Sequence, residues 1–417
     1  MTTINIYNKR NIIFDIILCY ILPNFIGCIY SLFLFRQKKS KGYAFLFLSL
    51  FVLFLTYNYY SVDNTLRYIR VLNGLAAEEW MSGNPLDYLL MFFQTFFHLQ
   101  SSFVFFIYIL LAYVLWFYTL RYTNEYTKID GMFLILLVCS LALRNVIDLL
   151  YYTLAVLFTL YFASKKNHKF KIHDYLILII FVYLLHPGLF FLLIPAIFLF
   201  LISHYKNKKI YYLSLIIIYF TGLFLTHAQG IHTGIKIIDI QLESFNSYTG
   251  DGKWGIRSKS LSGITYIIQF YILPSIYTII CIISTKYRNC LRMNLILALM
   301  QVCVLFYPSF ISFVTISERI LLTMSICIVL LMYKMVLFKI IQRKFVYCIV
   351  CITFLFTTIR CSEAISLKYI FRLGTYEDIT LRSYYMPSIY LLDYLDWGFS
   401  DEFIRENSII FDYFYNK

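Results

Sequence analysis

Residues 165–209 read KKNHKFKIHDYLILIIFVYLLHPGLFFLLIPAIFLFLISHYKNKK. Two apolar runs, 175–185 and 188–203, flank His186-Pro187-Gly188. They are bounded by Lys165, Lys166, Lys169 and Lys171 on one flank and by Lys206, Lys208 and Lys209 on the other. An apolar run with Lys and Arg clustered at one end is a membrane span whose basic end faces the cytoplasm. Both clusters then lie on one side, and His-Pro-Gly is the tip of a helical hairpin on the other. At about 1.5 Å per residue, the run 175–185 makes about 17 Å of helix. The hydrocarbon core is about 30 Å thick, so the tip is expected to stand recessed. Short or interrupted spans of this kind line polar cavities at membrane depth.

The rest of the chain repeats the pattern. Of 417 residues, 61% are apolar and 14% charged, and the mean hydropathy is +0.73. A soluble chain carries about 25% charge, so the solvent here is lipid. The fold class is an all-α polytopic integral membrane protein. About twelve transmembrane helices are expected, near 11–35, 43–61, 102–120, 130–143, 146–163, 175–185, 188–203, 210–228, 262–285, 293–316, 320–338 and 345–359. Twenty of the thirty-six Lys and Arg fall in short loops of one parity, which the positive-inside rule makes cytoplasmic. Both termini then lie outside, with Lys9 and Arg10 against the trend. Only Glu125, Asp130 and Asp174 of the twenty-two acids fall on the inner side. The net charge of +14 is spent on topology in short clusters and does not imply nucleic acid. The run 11–35 is too long for a signal peptide's apolar core and lacks a small-residue cleavage site.

Two outward loops stand out, 62–101 and 229–261. The first ends in an apolar stretch, 86–99, too short to span and expected as an interfacial or re-entrant helix. The second is Gly-rich and carries His232, Asp251, Lys253, Trp254 and Arg257. Residues 1–360 therefore read as a polytopic membrane domain, and 361–417 as an extracytoplasmic tail on the membrane surface. Most of the ten cysteines lie in apolar runs. Cys348-x-x-Cys351 sits inside a span without a second pair, and reads as packing or lipid-facing Cys.

Ionisable residues at membrane depth on the outer side carry the functional reading. The run 131–143 is about 20 Å of helix, which leaves Arg144-Asn145 recessed like His186. An ionisable group at that depth is costly unless used, yet each candidate has a plainer reading. Arg144 can pair with Asp148 four residues on or snorkel to the interface. His186 before Pro187 can be a turn residue, and Arg319, after Glu318, an exposed cap. Asp63, Arg67 and Arg70 can be juxtamembrane charge, and His227 an anchor at the end of a span. Taken together, outward arginines at headgroup depth suit a phosphate or pyrophosphate, which guanidinium grips in two-pronged fashion. A nearby carboxylate or His can activate a hydroxyl. With no Asp-x-Asp or His-rich set, neither metal nor cofactor is expected.

At these residues the chain resembles the EpsG-like and Wzy-type bacterial polysaccharide polymerases, which join O-antigen or capsule repeat units. The resemblance rests on Ser61-Val62-Asp63-Asn64-Thr65-Leu66-Arg67-Tyr68, Leu143-Arg144-Asn145, Leu185-His186-Pro187 and Glu318-Arg319, across roughly residues 1–340. It implies a GT-C-like membrane glycosyltransferase of the bacterial inner membrane, active on the extracytoplasmic face. Such an enzyme moves a growing glycan from undecaprenyl pyrophosphate onto a lipid-linked repeat unit. Asp63 and His186 would then be catalytic, and Arg67, Arg70, Arg144, Arg257 and Arg319 would bind pyrophosphate. The implied partners are the lipid-linked oligosaccharide, membrane lipid and a chain-length regulator. A lipid-linked oligosaccharide flippase and an O-antigen ligase are the alternatives. A flippase would place charge in both leaflets and show duplicated halves, neither of which is visible here.

Overall fold

The computed structural model describes residues 2–58, 85–97, 101–123, 129–141, 146–147, 149–166, 170–204, 208–226, 264–288, 294–364 and 384–397. Among these the chain forms helices and no β-strand. In hydrocarbon each backbone N–H and C=O needs a partner within its own segment, and a helix supplies it. The helices are α1 (Thr2–Ile21), α2 (Asn24–Lys38), α3 (Lys41–Asn58), α4 (Pro85–Phe97), α5 (Ser101–Thr123), α6 (Gly131–Cys139), α7 (Leu150–Lys166) and α8 (Ile172–Leu185). They continue with α9 (Phe190–His204), α10 (Lys208–Thr226), α11 (Leu273–Lys286), α12 (Asn294–Phe310), α13 (Val314–Leu337), α14 (Arg343–Ala364) and α15 (Ser388–Trp397). A π-helical turn, Ile268–Ile272, leads into α11. Four stretches are long and apolar enough to cross a membrane: Phe103–Thr123, Lys209–Thr226, Ile268–Lys286 and Val314–Leu337. Five shorter apolar helices accompany them among the described residues.

Side-chain pairs fix the direction of each helix. Tyr108 meets Tyr151, Tyr118 meets Tyr161, and Thr123 meets Ser164 at 3.1 Å, so α5 and α7 run parallel. Tyr152 meets His186 and Phe158 meets Phe181, so α8 runs back along α7. Asp130, capping α6, lies 3.6 Å from Arg343 at the start of α14, which places the starts of those two helices together. Direction alternates along these helices as the loop charges require, and the described Lys41, Lys165, Lys166 and Arg343 gather at one end of the bundle. That end is the basic end below, and the opposite one, toward which the acid-rich loops of the sequence are expected to lie, is called the acidic end.

At the centre stands α13, with 94% of its membrane-length window buried. At the periphery α10 has only 22% buried and turns Ile216, Ile217, Phe220 and Phe224 outward. Both are apolar, so hydropathy alone does not separate core from rim. The buried polar groups do. Thr323 and Ser317 of α13 are fully buried, and in an apolar interior each needs a hydrogen bond to offset its desolvation.

The structure corrects the reading of 11–35 as one span. Pro23 lacks an N–H and its ring blocks the helix, so α1 ends at Ile21 and α2 starts at Asn24. The two fold into a hairpin around Gly27. A Cβ there would stand 2.5 Å from the Cys19 carbonyl oxygen, an approach only glycine permits. Tyr43 donates to Asp15 at 2.5 Å, and Tyr20 pairs with Ser49 at 2.9 Å, so α1 runs parallel to α3. Both ends of the hairpin therefore lie at the basic end. The start of α1, which carries Lys9 and Arg10, therefore falls at the end that their charge favours and no longer runs against the trend. Asp15 moves to that end too.

Two other short elements shape the acidic end. In α6 there are only nine residues, about 13 Å of helix. Leu141 after it, and Val146, Ile147 and Leu150 leading into α7, are all buried. The stretch expected as an interfacial helix is α4, with Leu90 fully buried and Phe92, Phe96 and Phe97 exposed. Tyr108 of α5 donates to the Leu86 carbonyl at 2.8 Å, and Tyr151 of α7 donates to Asp87 at 2.8 Å, which ties α4 across both helices.

At the basic end Asp174 binds the start of α8. Its carboxylate accepts from the Lys171 N–H at 2.9 Å and lies 2.8 Å from the Lys166 ammonium. The Lys166 contact first, and then the Lys171 bond, hold the carboxyl below its usual range.

Candidate functional site

Of the seven expected site residues, His186 and Arg319 lie within the described structure. Asp63, Arg67, Arg70, Arg144 and Arg257 lie outside the described residues, as does His227. The two that are described come from distant parts of the chain and are connected through the same tyrosine, His186 directly and Arg319 by way of Thr323.

His186 ends α8. Its N–H donates to the Val182 carbonyl at 2.8 Å, and its extended backbone (φ −162°, ψ 102°) breaks the helix. Pro187 then starts a single 3-10 turn, Pro187–Leu189, before α9. The turn folds the imidazole back over Gly188. A Cβ on that glycine would lie 2.9 Å from the His186 Cε1 and 3.1 Å from Nδ1. Glycine here makes room for a ring, not for a strained backbone. On its other side the ring meets Tyr152 edge-on, with centroids 5.2 Å apart and planes at 90°. Aromatic rings favour that arrangement because the positive edge of one meets the negative face of the other.

Tyr152 belongs to the first turn of α7 and is buried. Its hydroxyl lies 2.9 Å from the Thr323 hydroxyl of α13. Thr323 donates one turn back to the Arg319 carbonyl at 3.1 Å, which leaves its oxygen to accept from Tyr152. The Arg319 charge stands within electrostatic reach of the same phenol. Tyr152 is therefore a joint: one face holds His186, and the hydroxyl holds the turn of α13 that carries Arg319.

The start of α13 is itself pinned. Ser317 is fully buried and donates to the Phe310 carbonyl at 2.5 Å, closing the turn from α12. Glu318 and Arg319 are both half-buried. This differs from an exposed helix cap, where both charges would stand in water.

Tyr151, next along α7, points to a different neighbour. It donates to Asp87 of α4 and packs edge-on against Tyr108, with centroids 6.0 Å apart. Two adjacent tyrosines thus link the His186 tip, central α13 and interfacial α4 at the acidic end. Sequence reasoning missed Tyr151, Tyr152 and Thr323. The signal was a Tyr-Tyr pair opening a span just after the Arg144 turn, and thirty-nine tyrosines in the chain hid it. Chemically, the pair offers an imidazole able to exchange a proton and a guanidinium able to hold an anion, in a low-dielectric setting where both act strongly. Cys348 and Cys351, on α14, are exposed free thiols away from this group.

No protein-family model, characterised protein or solved structure matches the chain.

Proposed function

We propose that the chain is a membrane glycosyltransferase of the EpsG-like or Wzy-type kind, a repeat-unit polymerase working at the acidic end. In this reading it lies in the bacterial inner membrane, its basic end in the cytoplasm and its acidic end outside. The inserted helices, about twelve, form a GT-C-like body. The substrate is a glycan on undecaprenyl pyrophosphate, and the acceptor is a second lipid-linked repeat unit. Arg319 and Arg144, with Arg67, Arg70 or Arg257, grip the pyrophosphate and stabilise it as it leaves. Asp63 or His186 takes the proton of the attacking sugar hydroxyl.

One observation carries the reading. His186 packs on the ring of buried Tyr152, and Arg319, far away in sequence, lies one turn from Thr323, which meets the hydroxyl of that same tyrosine where the α8–α9 hairpin breaks. A base and an anion-holding cation held at headgroup depth suit a lipid pyrophosphate, whose charged group lies at that depth while its chain stays in lipid.

The test is the length of surface glycan. Deleting the gene should leave single repeat units on surface lipid in place of a ladder. Loss of surface units with retention inside would make the protein a flippase, and accumulation of full-length lipid-linked polymer would make it a ligase. Arg319→Ala and Arg144→Ala should each abolish extension at normal protein level. A lost charge-assisted bond costs about 1.5–3 kcal/mol, or about tenfold to over a hundredfold in rate. Normal ladders from both variants would remove them from the site.

A further inference from the structure

The tip of the α1–α2 hairpin lies in an unusual place. Asn24 donates from Nδ2 to the Leu50 carbonyl at 3.3 Å, and Leu50 is the tenth residue of α3, about 14 Å along it. The tip therefore stops near the middle of a core about 30 Å thick. A backbone break at that depth has no water to satisfy it. Its partner is the far end of the chain. The Asn24 N–H donates to the Met386 carbonyl at 2.9 Å, and Asn24 Nδ2 lies 3.0 Å from the Ser388 hydroxyl. Tyr384 packs on Phe25 (5.9 Å) and edge-on against Phe54 (5.2 Å, 88°).

The two segments approach from opposite ends. The hairpin rises from the basic end. Residues 384–388 descend: Tyr384 meets Phe54, and four residues later Ser388 meets Asn24 beside Leu50, about a turn deeper along α3. From there α15 packs against α1, α3 and α5, with Leu391 buried. The joint is also spare. Pro23 and Pro387 face each other in an antiparallel bridge, and neither has an N–H to extend it. Asn24 is fully buried, both its amide hydrogens are used, and its Oδ1 has no hydrogen-bond partner among the described residues. A buried acceptor left over marks a joint that is closed but not fully satisfied.

We propose that residues 384–397 form an intramembrane clasp. They enter from the acidic end, hold the hairpin tip at mid-depth through Asn24, and release it as a unit. Asn24 is the keystone, since its side chain bonds both α3 and the C-terminal segment and its backbone N–H bonds that segment again.

The clasp is tested in native membranes by a cross-link and by a thiol footprint, neither of which depends on activity. Phe25→Cys with Tyr384→Cys, which face each other across the joint and leave Asn24 intact, and a protease site inserted between residues 229 and 261, should give two fragments joined by an oxidant-induced, reducible disulfide. Each single variant, which keeps the native cysteines, should give separate fragments. In the footprint, Met386→Cys should resist an impermeant maleimide applied from the acidic side. Adding Asn24→Ala, which removes two hydrogen bonds and keeps the backbone one, should raise that rate about tenfold or more. Failure to cross-link, or fast labelling of Met386→Cys with Asn24 intact, overturns the clasp. Labelling unchanged by Asn24→Ala overturns Asn24 as its keystone.

Discussion

The α1–α2 and α8–α9 hairpins are built alike and end differently. Each turns at a proline, Pro23 or Pro187, and each relies on a glycine a few residues from the break. At Gly27 the neighbour is the backbone carbonyl of Cys19, which cannot move without its helix. At Gly188 it is the His186 ring, the far end of a side chain that can rotate. The first tip stops at mid-depth and is met by protein backbone. At the second, the His186 ring packs edge-on against the Tyr152 side chain. A broken helix at membrane depth becomes a structural joint when backbone seals it, and a place for chemistry when only side chains border it. The identity of the neighbour decides this, and the break itself does not.

The comparison breaks most sharply at the glycines. Gly27→Ala should be the most damaging change, because the added carbon meets a backbone oxygen and the hairpin must shift. Overpacking of this kind costs about 1–3 kcal/mol, read as a lower melting temperature in detergent and less protein in the membrane. Gly188→Ala should leave melting nearly unchanged, because the ring can swing away, yet should shorten the glycan ladder by misplacing His186. If both variants melted alike, the distinction between the two tips would fail.

Tyr152→Phe sharpens the same contrast. It keeps the edge-on stack with His186 and loses the bond to Thr323. A neutral hydrogen bond is worth about 1 kcal/mol net, with an added cost for Thr323 left buried and short of a donor. Tyr152→Phe with Thr323→Val should recover most of the lost stability. Recovery of melting without recovery of ladder length would show that the bond sets the position of Arg319. Recovery of both would reduce it to packing.

The smallest expected effect lies at the basic end, away from both tips. The Asp174 carboxyl titrates lower folded than unfolded, so its contribution to stability is present above the ordinary carboxylate value and is lost as pH falls through the depressed one. Melting measured from pH 6 down to about pH 3 should fall less steeply in Asp174→Asn than in the parent. An unchanged slope would mean that Lys166 does not hold this group in solution.

Much of this is legible in the sequence. Basic clusters at every second loop set the alternation of helices, and His186-Pro187-Gly188 announced its own break, because a proline after a polar residue between short runs has few other meanings. The N-terminal hairpin was not legible. Leu22-Pro23-Asn24 carries no charge and is apolar on both sides, so 11–35 reads as one long span by hydropathy. The clue was Lys9-Arg10 on the wrong side, a conflict that only a re-entrant path resolves. The tyrosine joint was hidden for a different reason. Its meaning lies in pairings between helices, Tyr152 with Thr323 and Tyr151 with Asp87, and no local spacing encodes them.

The bond between Asn24 and Ser388 spans 364 residues. At about 5–20 residues per second of synthesis, the hairpin waits about 20–70 s in the membrane before the segment that seals it is made. During that time a broken backbone sits in hydrocarbon without its final partner, and central α13 has not been made for most of the wait. The hairpin is thus made long before the segment that completes it. A nascent chain stalled before residue 384 should expose its first thirty residues to whatever in the membrane recognises unfinished helices.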